Sequence, residues 1–465
     1  MGSRSSHMTQ SDLFTWSMEQ DPMLRSTIVT VLLLDTEPDW AKLVRMIDRG
    51  TRVVPRFRHT LSPVPLSLAP PRWKPDEDFD LFWHIRRATL ARPADMAAVL
   101  EFARTEAMTA FDPARPLWKF TLLTGMPGGT CAAVLTVHHS LTDGIGGIQI
   151  AGEILDFSRE GTERSPVAVR NEPSAGTLAD IVAWNWATGS SLLTGSLART
   201  PKLMRSLADP IGAVRGSATL ATSVLRLARP VTTTMSPVMT DRSLGRQLTV
   251  LQFPLKQLSD SALRVECTLN DAFLTALVLG LREYHARYDA PIDQLRLTMP
   301  ISLRTPDDPI GGNRITLARF AIPADTDNAL KQMWQVHTLV ERWRREPAIP
   351  LSNTVAAVFN RMPSGVLAEM LKHVDFVASD VPGSPIPLYL AGAEVEHVHA
   401  FGPTLGTAFN ATLLSHLGTC HVGLTIDTAA VPDIADFVAC IDSGFRKVLA
   451  AGAQSDDRAV SEPPP

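Results

Sequence analysis

The chain has 465 residues, of which 45% are hydrophobic and 20% are charged, a composition typical of a globular protein and not of a disordered one. This length predicts two domains of about 200 residues each. The formal net charge of −4 gives no reason to expect a nucleic acid as a partner.

The cysteines and the apolar stretches bear on the compartment of the protein. The 4 cysteines, at positions 131, 267, 420 and 440, show no C-x-x-C spacing. This argues against a zinc site or a disulfide framework and favours a reducing cytosol. Residues 1–7 have the form of an expression-vector remnant, so we expect native sequence from Met8 and no signal peptide. The uncharged stretch 181–198 contains Asn185, Gly189 and Gly195 and makes a poor membrane span.

Apolar periodicity predicts alternating strands and helices over the first third of the chain. Runs of apolar and β-branched residues predict strands over 26–34, 117–123 and 131–137. Apolar residues at helical spacing predict helices over 40–49, 95–110 and 148–157. Together they indicate a mixed α/β half over 8–158.

A second set of elements follows a long connection. Residues 159–177 are polar and rich in Pro, Ser and Glu, as in a linker, whereas 178–229 are apolar, basic and helical in character. Further strands are predicted over 246–254, 294–301 and 417–426, with a helix over 269–284. We therefore expect a connection over 159–240, a second mixed α/β half over 241–453 and a disordered tail over 454–465.

Residues 134–147, VLTVHHSLTDGIGG, place two histidines at the end of a predicted strand. Because consecutive residues of a strand point to opposite faces, His138 and His139 cannot both face one substrate. One is expected to face a cavity and the other to pack inward. A histidine so placed suits general-base catalysis, and the chain has no G-x-S-x-G elbow that would supply a serine nucleophile. Direct transfer onto a hydroxyl or amine is one interpretation; two structural histidines at a strand end are the other.

The motif H-H-x-x-x-D-G at 138–144 resembles the signature of the acyltransferase superfamily related to chloramphenicol acetyltransferase, which also contains peptide-synthetase condensation domains. The surrounding sequence resembles one branch of it, the bacterial wax ester synthase/diacylglycerol acyltransferase family. The resemblance is carried, in collinear order, by FDLFWHIRRATL (79–90), FDPARPLWKF (111–120), TLNDAFLTAL (268–277), MPISLR (299–304), GGNR (311–314), SDVPGSPIPLYLAGA (379–393) and FNATLLSHLGTCHVGLTIDTAAVPD (409–433). The departures are Asp380 where Asn is usual, Ser384 where Pro is usual, and a weak match over 11–20.

This resemblance implies two chloramphenicol-acetyltransferase-like halves, each a mixed sheet with flanking helices, and an active-site tunnel between them. It implies an enzyme that moves a long-chain acyl group from acyl-CoA to the hydroxyl of diacylglycerol or of a fatty alcohol. Acyl-CoA is then a substrate, and no metal, cofactor or covalent acyl-enzyme is expected. Two alternatives stay open: a condensation-type enzyme that uses a carrier-protein thioester, and a non-catalytic lipid-binding or lipid-body protein.

The resemblance also implies roles for single residues. His139 is expected to be the general base, with His138 and Asp143 in structural roles. Asp143 is expected to pair with an arginine, for which Arg304 is our choice. Asn270 is expected either to stabilise the oxyanion or to cap the following helix. The residues expected to bind substrate or to shape the tunnel are Pro116, Leu117, Trp118, Gly144, Asp271, Arg304 and Asn313.

Other polar residues receive different expectations. The charge of Asp380 would act on acceptor recognition more than on the chemistry. Cys131 and Cys420 are expected in the core. A metal is not expected at the histidines that fall at strand-like spacing, which are His397, His399, His416 and His421.

The apolar, basic region has two interpretations. Residues 181–229 carry six cations against one acid, Asp209, a composition typical of a helix lying on an anionic membrane or a lipid inclusion. The protein is then cytoplasmic and peripheral, with the inner membrane or lipid inclusions as its surface. The alternative is a connection that packs on the two halves.

Overall fold

The computed structural model describes residues 7–64, 69–165, 167–168, 231–305, 311–346 and 371–453, together with the single residues 356, 360, 365 and 369. Segment 181–229 and the tail 454–465 lie outside these ranges, so the membrane helix and the disordered tail stay predictions. The linker prediction over 159–177 falls partly outside them as well.

The first half alternates helices and strands. Its helices are α1 (Gln10–Met18), α2 (Trp40–Val53), α3 (Leu81–His84), α4 (Met96–Met108) and α5 (Gly144–Ile154). Its strands are β1 (Thr27–Leu34), β2 (His59–Ser62), β3 (Arg72–Pro75), β4 (Ile85–Thr89), β5 (Trp118–Thr124) and β6 (Cys131–His138). The predicted strands and the first two predicted helices are confirmed within a few residues.

Aspartates determine where three of these helices begin. The Asp39 carboxylate accepts the Lys42 N–H at 2.8 Å, that of Asp95 accepts the Ala98 N–H at 3.0 Å, and that of Asp143 accepts the Gly146 N–H at 2.7 Å. Each satisfies an otherwise free amide of the first helical turn. The helix predicted over 148–157 therefore begins earlier, at Gly144, because Asp143 caps it.

The second half has the same character. Its helices are α6 (Leu255–Leu263), α7 (Leu269–Ala286), α8 (Ala329–Arg344) and α9 (Ile434–Ala453). Its strands are β7 (Arg246–Pro254), β8 (Gln294–Ser302), β9 (Ile315–Pro323), β10 (Phe376–Ser384), β11 (Tyr389–Leu390), β12 (Ala393–Phe401), β13 (Phe409–His416) and β14 (Thr419–Asp427). The predicted mixed α/β class with two sheet-containing halves is confirmed.

The second half of the chain contributes a hairpin to the first sheet. The first sheet has the order β11-β12-β1-β6-β5-β4, and the second has the order β7-β14-β13-β10-β8-β9. β12 pairs antiparallel with β1, with Val31 opposite His399. Within the predicted second half over 241–453, the β11–β12 hairpin thus completes the first sheet. That pairing covers the edge of β1, which would otherwise leave unpaired backbone groups.

Helices α7 and α9 form the densest part of the second half. A Cβ atom at Gly444 of α9 would lie 2.1 Å from the Ala276 carbonyl oxygen of α7, so glycine is what permits this close approach. The core around these helices also encloses Cys267, Cys420 and Cys440 as free thiols, whereas Cys131 is buried in the first half. Within the described ranges, no helix has both the length and the apolar composition needed to cross a membrane.

Candidate active site

A cavity of about 600 Å³ lies between the two sheets. Residues of α1, β1 and α5 line one side of it, and residues of β9, β10 and β13 line the other. Most of these side chains are apolar, among them Ile28, Leu32 and Phe120. Such a space accepts a hydrocarbon chain and excludes most of the water from it.

His139 follows the last residue of β6 and lines this cavity. Its backbone N–H donates to the Ser26 carbonyl at 2.8 Å, which holds the turn against the start of β1. Its Nδ1 is buried and has no hydrogen-bond partner in the described part of the chain. Burial lowers the pKa of His139, and the nearby Asp143 carboxylate acts in the opposite direction. The imidazole is therefore neutral near pH 7 and can accept a proton.

His138 points away from the cavity, as the strand geometry predicts. Its side chain is 0% exposed and packs against the rings of Trp16 and Phe111. Its Nδ1 accepts the backbone N–H of Ser140 at 3.1 Å. The surroundings of His138 are those of a structural residue.

Asp143 joins the histidine turn to the second half of the chain. One carboxylate oxygen caps α5, and the other accepts Arg304 Nη2 at 3.0 Å and the Arg314 backbone N–H at 2.7 Å. Arg304 Nη2 also donates to the Gly312 carbonyl at 2.8 Å. The ion pair expected between Asp143 and Arg304 is thus present. Asp143 lines the cavity and Arg304 does not, so the pair braces the turn from its far side, and the tunnel role of Arg304 stays a prediction.

Gly144 and Asn313 lie where the sequence places them, at the cavity wall. A Cβ atom at Gly144 would lie 2.9 Å from Val381 Cγ2, so glycine lets α5 approach β10 closely. The Asn313 side-chain amide donates to Thr15 Oγ1 at 3.2 Å. Asn313 therefore attaches the second half of the chain to α1.

Helix α1 is the part of the site that the sequence analysis missed. It coincides with the weakly matching segment 11–20, yet Ser11, Phe14, Thr15 and Met18 line the cavity. Buried Asp12 pairs with Arg56 Nη1 at 3.1 Å and accepts the Asn313 backbone N–H at 3.3 Å. The signal that could have located the helix is the capping box in which Thr9 and Asp12 bond reciprocally.

One prediction on α7, the N-cap at Asn270, is wrong. Thr268, not Asn270, is the N-cap, and it forms a capping box with Asp271. The Asn270 amide nitrogen faces the Met299 sulfur at 4.0 Å, and neither Asn270 nor Asp271 is among the residues that line the cavity. Asp271 Oδ2 instead accepts from His337 Nδ1 at 2.8 Å. The oxyanion role of Asn270 and the tunnel role of Asp271 gain no support from this placement and stay predictions.

The Pro-Leu-Trp block is only partly in contact with the cavity. Trp118 lines it, with its indole N–H donated to the Phe57 carbonyl at 2.8 Å and its ring stacked on His84 at 4.5 Å between centroids. Pro116 and Leu117 are buried and are not among the lining residues. The tunnel-shaping role of these two residues stays a prediction, and any such effect would act through the position of Trp118.

Asp380 and the histidines of β12 and β14 lie away from the cavity wall. Ser379 and Val381 line the cavity but Asp380 does not, so it makes no direct contact there, and the expected action of its charge on the acceptor stays a prediction. Burial raises the pKa of Asp380 to about 6. Burial also lowers the pKa of His399 to about 4 and that of His421 to about 3, so these adjacent rings are neutral.

Two family models match the chain. The wax ester synthase/diacylglycerol acyltransferase catalytic domain matches residues 8–273, and the WS/DGAT C-terminal domain matches residues 311–448. A putative diacylglycerol O-acyltransferase of Mycobacterium tuberculosis H37Rv is 32% identical over 439 residues, which cover 93% of this chain and 89% of the relative. The O-acyltransferase WSD of Acinetobacter baylyi is 25% identical over 407 residues, which cover 83% of this chain and 84% of the relative.

Solved structures show the same fold. A wax ester synthase/diacylglycerol acyltransferase from Marinobacter aquaeolei VT8 superposes with a TM-score of 0.63 at 21% identity, covering 96% of this chain and 100% of that chain. The starter condensation domain of rhizomide synthetase RzmA, in complex with C8-CoA and Leu-SNAC, superposes with a TM-score of 0.64 at 15% identity, covering 97% and 94%. At these identities the likeness concerns the fold alone. On the family models and the 32% identical relative, the chain belongs to the wax ester synthase/diacylglycerol acyltransferase family of O-acyltransferases.

Proposed function

We propose that this protein transfers a long-chain acyl group from acyl-CoA to the hydroxyl of a lipid alcohol, either diacylglycerol or a fatty alcohol, with His139 as the general base. One observation supports the proposal most strongly: the His139 imidazole is neutral and lies at the wall of an apolar cavity between the two sheets. Relatives named as diacylglycerol O-acyltransferases and as O-acyltransferase WSD support this choice of substrates.

The reaction that this geometry favours is a direct transfer. The His139 imidazole takes the proton of the acceptor hydroxyl while the hydroxyl oxygen attacks the thioester carbonyl. A C–O bond forms, the C–S bond breaks, and the imidazolium returns its proton to the departing CoA thiolate. General-base catalysis of this kind contributes about 10²- to 10⁴-fold, and alignment of the two substrates in one cavity adds a comparable factor.

The nucleophilic side chains support a route without an acyl-enzyme. Burial raises the pKa of Cys131 to about 11 and that of Cys420 to about 12, so neither thiol ionises near neutral pH. Ser140 is fully buried, and its Oγ lies 2.8 Å from His138 Nδ1. In this mechanism acyl-CoA is a substrate, and the transfer needs neither a metal nor a cofactor.

The same proposal extends to the surface on which the enzyme works. Its substrates and product are too apolar to move freely through water, so the cavity needs an opening that meets a lipid surface. Phe157 and Ile386 line the cavity and are 55% and 48% exposed. We place this opening on the cytoplasmic side of the inner membrane or on a lipid inclusion.

The experiment is an acyl-transfer assay with purified protein. Palmitoyl-CoA is offered with dioleoylglycerol or with hexadecanol, and lipid products are separated while free CoA is measured. We expect CoA release to depend on the acceptor. His139→Ala should lower turnover by about 10²-fold or more, whereas His373→Ala, a histidine outside the cavity lining, should not.

Two results would contradict the proposal. Retention by His139→Ala of more than about a tenth of the wild-type turnover would leave no room for general-base catalysis. A stoichiometric acyl adduct that forms on the protein as fast as turnover would exclude direct transfer. Turnover with a carrier-protein thioester and none with palmitoyl-CoA would instead favour a condensation-type enzyme.

A further inference from the structure

Glu19 lies behind the histidine pair, at the C-terminal end of α1. Its Oε2 accepts the backbone N–H of Ser26 at 3.0 Å and lies 3.3 Å from His138 Nε2. The Glu19 side chain is 14% exposed and is not among the residues that line the cavity. The carboxylate therefore acts on groups behind the site and does not touch a substrate.

The contacts of His138 determine its tautomer. The backbone N–H of Ser140 can only donate, so His138 Nδ1, which accepts it at 3.1 Å, carries no proton. In the neutral imidazole the proton then lies on Nε2, which is 3.3 Å from a Glu19 carboxylate oxygen but outside hydrogen-bonding geometry. A negative charge at this distance favours the tautomer with the proton on Nε2.

Ser26 connects the same carboxylate to His139. The Ser26 N–H is bonded to Glu19, and the Ser26 carbonyl accepts the backbone N–H of His139 at 2.8 Å. Glu19 thus supports the histidine pair from two directions, through the ring of His138 and through the backbone of His139.

We propose that Glu19 is a positioning residue for acyl transfer: its carboxylate keeps His138 protonated on Nε2, fixes Ser26, and so sets the direction in which His139 faces the cavity. The proposal rests on the proposed role of His139 as the base. A shift of a base by about 1 Å costs roughly 10- to 100-fold in rate without weakening substrate binding. The effect of Glu19 is therefore expected in kcat, with KM nearly unchanged.

The test uses Glu19→Gln in the full chain, since the amide is isosteric and can still accept the Ser26 N–H but removes the carboxylate charge beside His138 Nε2. We expect kcat to fall by roughly 10- to 100-fold at a KM within about twofold of wild type, and Glu19→Asp to recover part of the loss. Glu283→Gln is the matched control, because Glu283 also has ionic and hydroxyl partners, Lys447 and Ser443, but lies in the second half and away from the cavity.

A double-mutant cycle separates positioning from general stability. If Glu19 acts through His138, then Glu19→Gln in a His138→Gln background should change kcat by less than about threefold. Independent, multiplicative effects on kcat would overturn the proposal. So would a Glu19→Gln protein that loses thermal stability but keeps the wild-type kcat.

A second measurement needs neither a substrate nor a stable double variant. The ¹⁵N chemical shifts of the His138 ring should report Nε2–H in the wild type and a shifted Nε2 resonance in Glu19→Gln, because the charge beside this nitrogen is lost while Ser140 still donates to Nδ1. Ring shifts identical to those of the wild type would overturn the proposal even if activity fell. Should the wild type show the Nε2–H tautomer but no acyl transfer to any lipid alcohol, the proposed function would fail while the link between Glu19 and His138 would stand.

Discussion

Asp143 Oδ2 and Arg304 Nη2 lie 3.0 Å apart, with side chains 1% and 3% exposed, and so connect the histidine turn to the strand end of β8. The same carboxylate caps α5 through its other oxygen. Both charges are removed from water, so each depends on the other and on the surrounding amides and carbonyls. The pair holds together the two sides of the cavity close to His139.

Removal of one partner should therefore be costly. We expect Arg304→Ala and Asp143→Ala each to lower the free energy of unfolding by about 3 to 5 kcal/mol, because each leaves a buried charge without its partner. Activity should fall as well, since the turn that presents His139 loses its brace. Chemical denaturation of both single variants and of the double variant checks this. If the double variant is destabilised by the sum of the two single effects, the residues do not depend on each other.

The cavity wall offers a test of chain-length selection. Gly152 of α5 lines the cavity, and a Cβ atom built there would meet nothing within 4 Å. Gly152 is itself exposed, so Gly152→Leu should narrow the open side of the cavity without displacing a neighbour, and it replaces a poor helix former. We expect turnover with palmitoyl-CoA to fall several-fold relative to octanoyl-CoA, with stability unchanged or higher. Ala97→Leu, at an exposed position of α4, is the control. If both variants show the same dependence of turnover on acyl chain length, the acyl chain does not contact the cavity wall at Gly152.

Local patterns in the sequence predicted most elements but not the long-range pairings. Strand geometry was enough to separate His138 from His139, because it depends only on adjacent residues. The T-L-N-D sequence at 268–271 offers two capping residues, and the reciprocal bonds of Thr268 and Asp271 decide between them. No periodicity indicates that β12 pairs with β1 across more than 350 residues of sequence. The role of α1 in lining the cavity was not predicted for the same reason, because the residues that it contacts lie far along the chain.

The buried carboxyl group of Asp380 should make the stability of the protein depend on pH. Burial raises its pKa from 3.8 to about 6 in the folded protein. Between these values the unfolded chain has lost a proton that the folded protein keeps, so the free energy of unfolding falls as pH rises through this window. Asp380→Asn removes the ionisable group, and with it this fall in the free energy of unfolding. The variant should gain about 1 to 3 kcal/mol over the wild type on going from pH 4 to pH 8.

Urea unfolding of both proteins across that range measures the difference. Asp293→Asn, at an exposed position, is the control and should show no such trend. A difference between Asp380→Asn and wild type that stays constant from pH 4 to pH 8 would mean that folding does not raise the pKa of Asp380.

The final prediction concerns the opening of the cavity beside Phe157 and Ile386. Both side chains line the cavity and remain 55% and 48% exposed, and the bridge between Asp156 and Tyr389 holds their two segments together through backbone bonds of 2.9 Å in each direction. Transfer of such side chains from water into a lipid surface is favourable by about 1.5 to 3 kcal/mol each when complete. We therefore expect the double variant Phe157→Ser, Ile386→Ser to bind vesicles at least about tenfold more weakly. Its turnover of vesicle-borne dioleoylglycerol should fall in parallel, while turnover of a water-soluble short-chain alcohol should be unchanged.

Leu263→Ser is the matched control, because Leu263 is 69% exposed but lies outside the cavity lining. Vesicle co-sedimentation and the two turnover assays test this prediction. If the double variant binds vesicles as tightly as Leu263→Ser does, the lipid surface contacts the protein at another place.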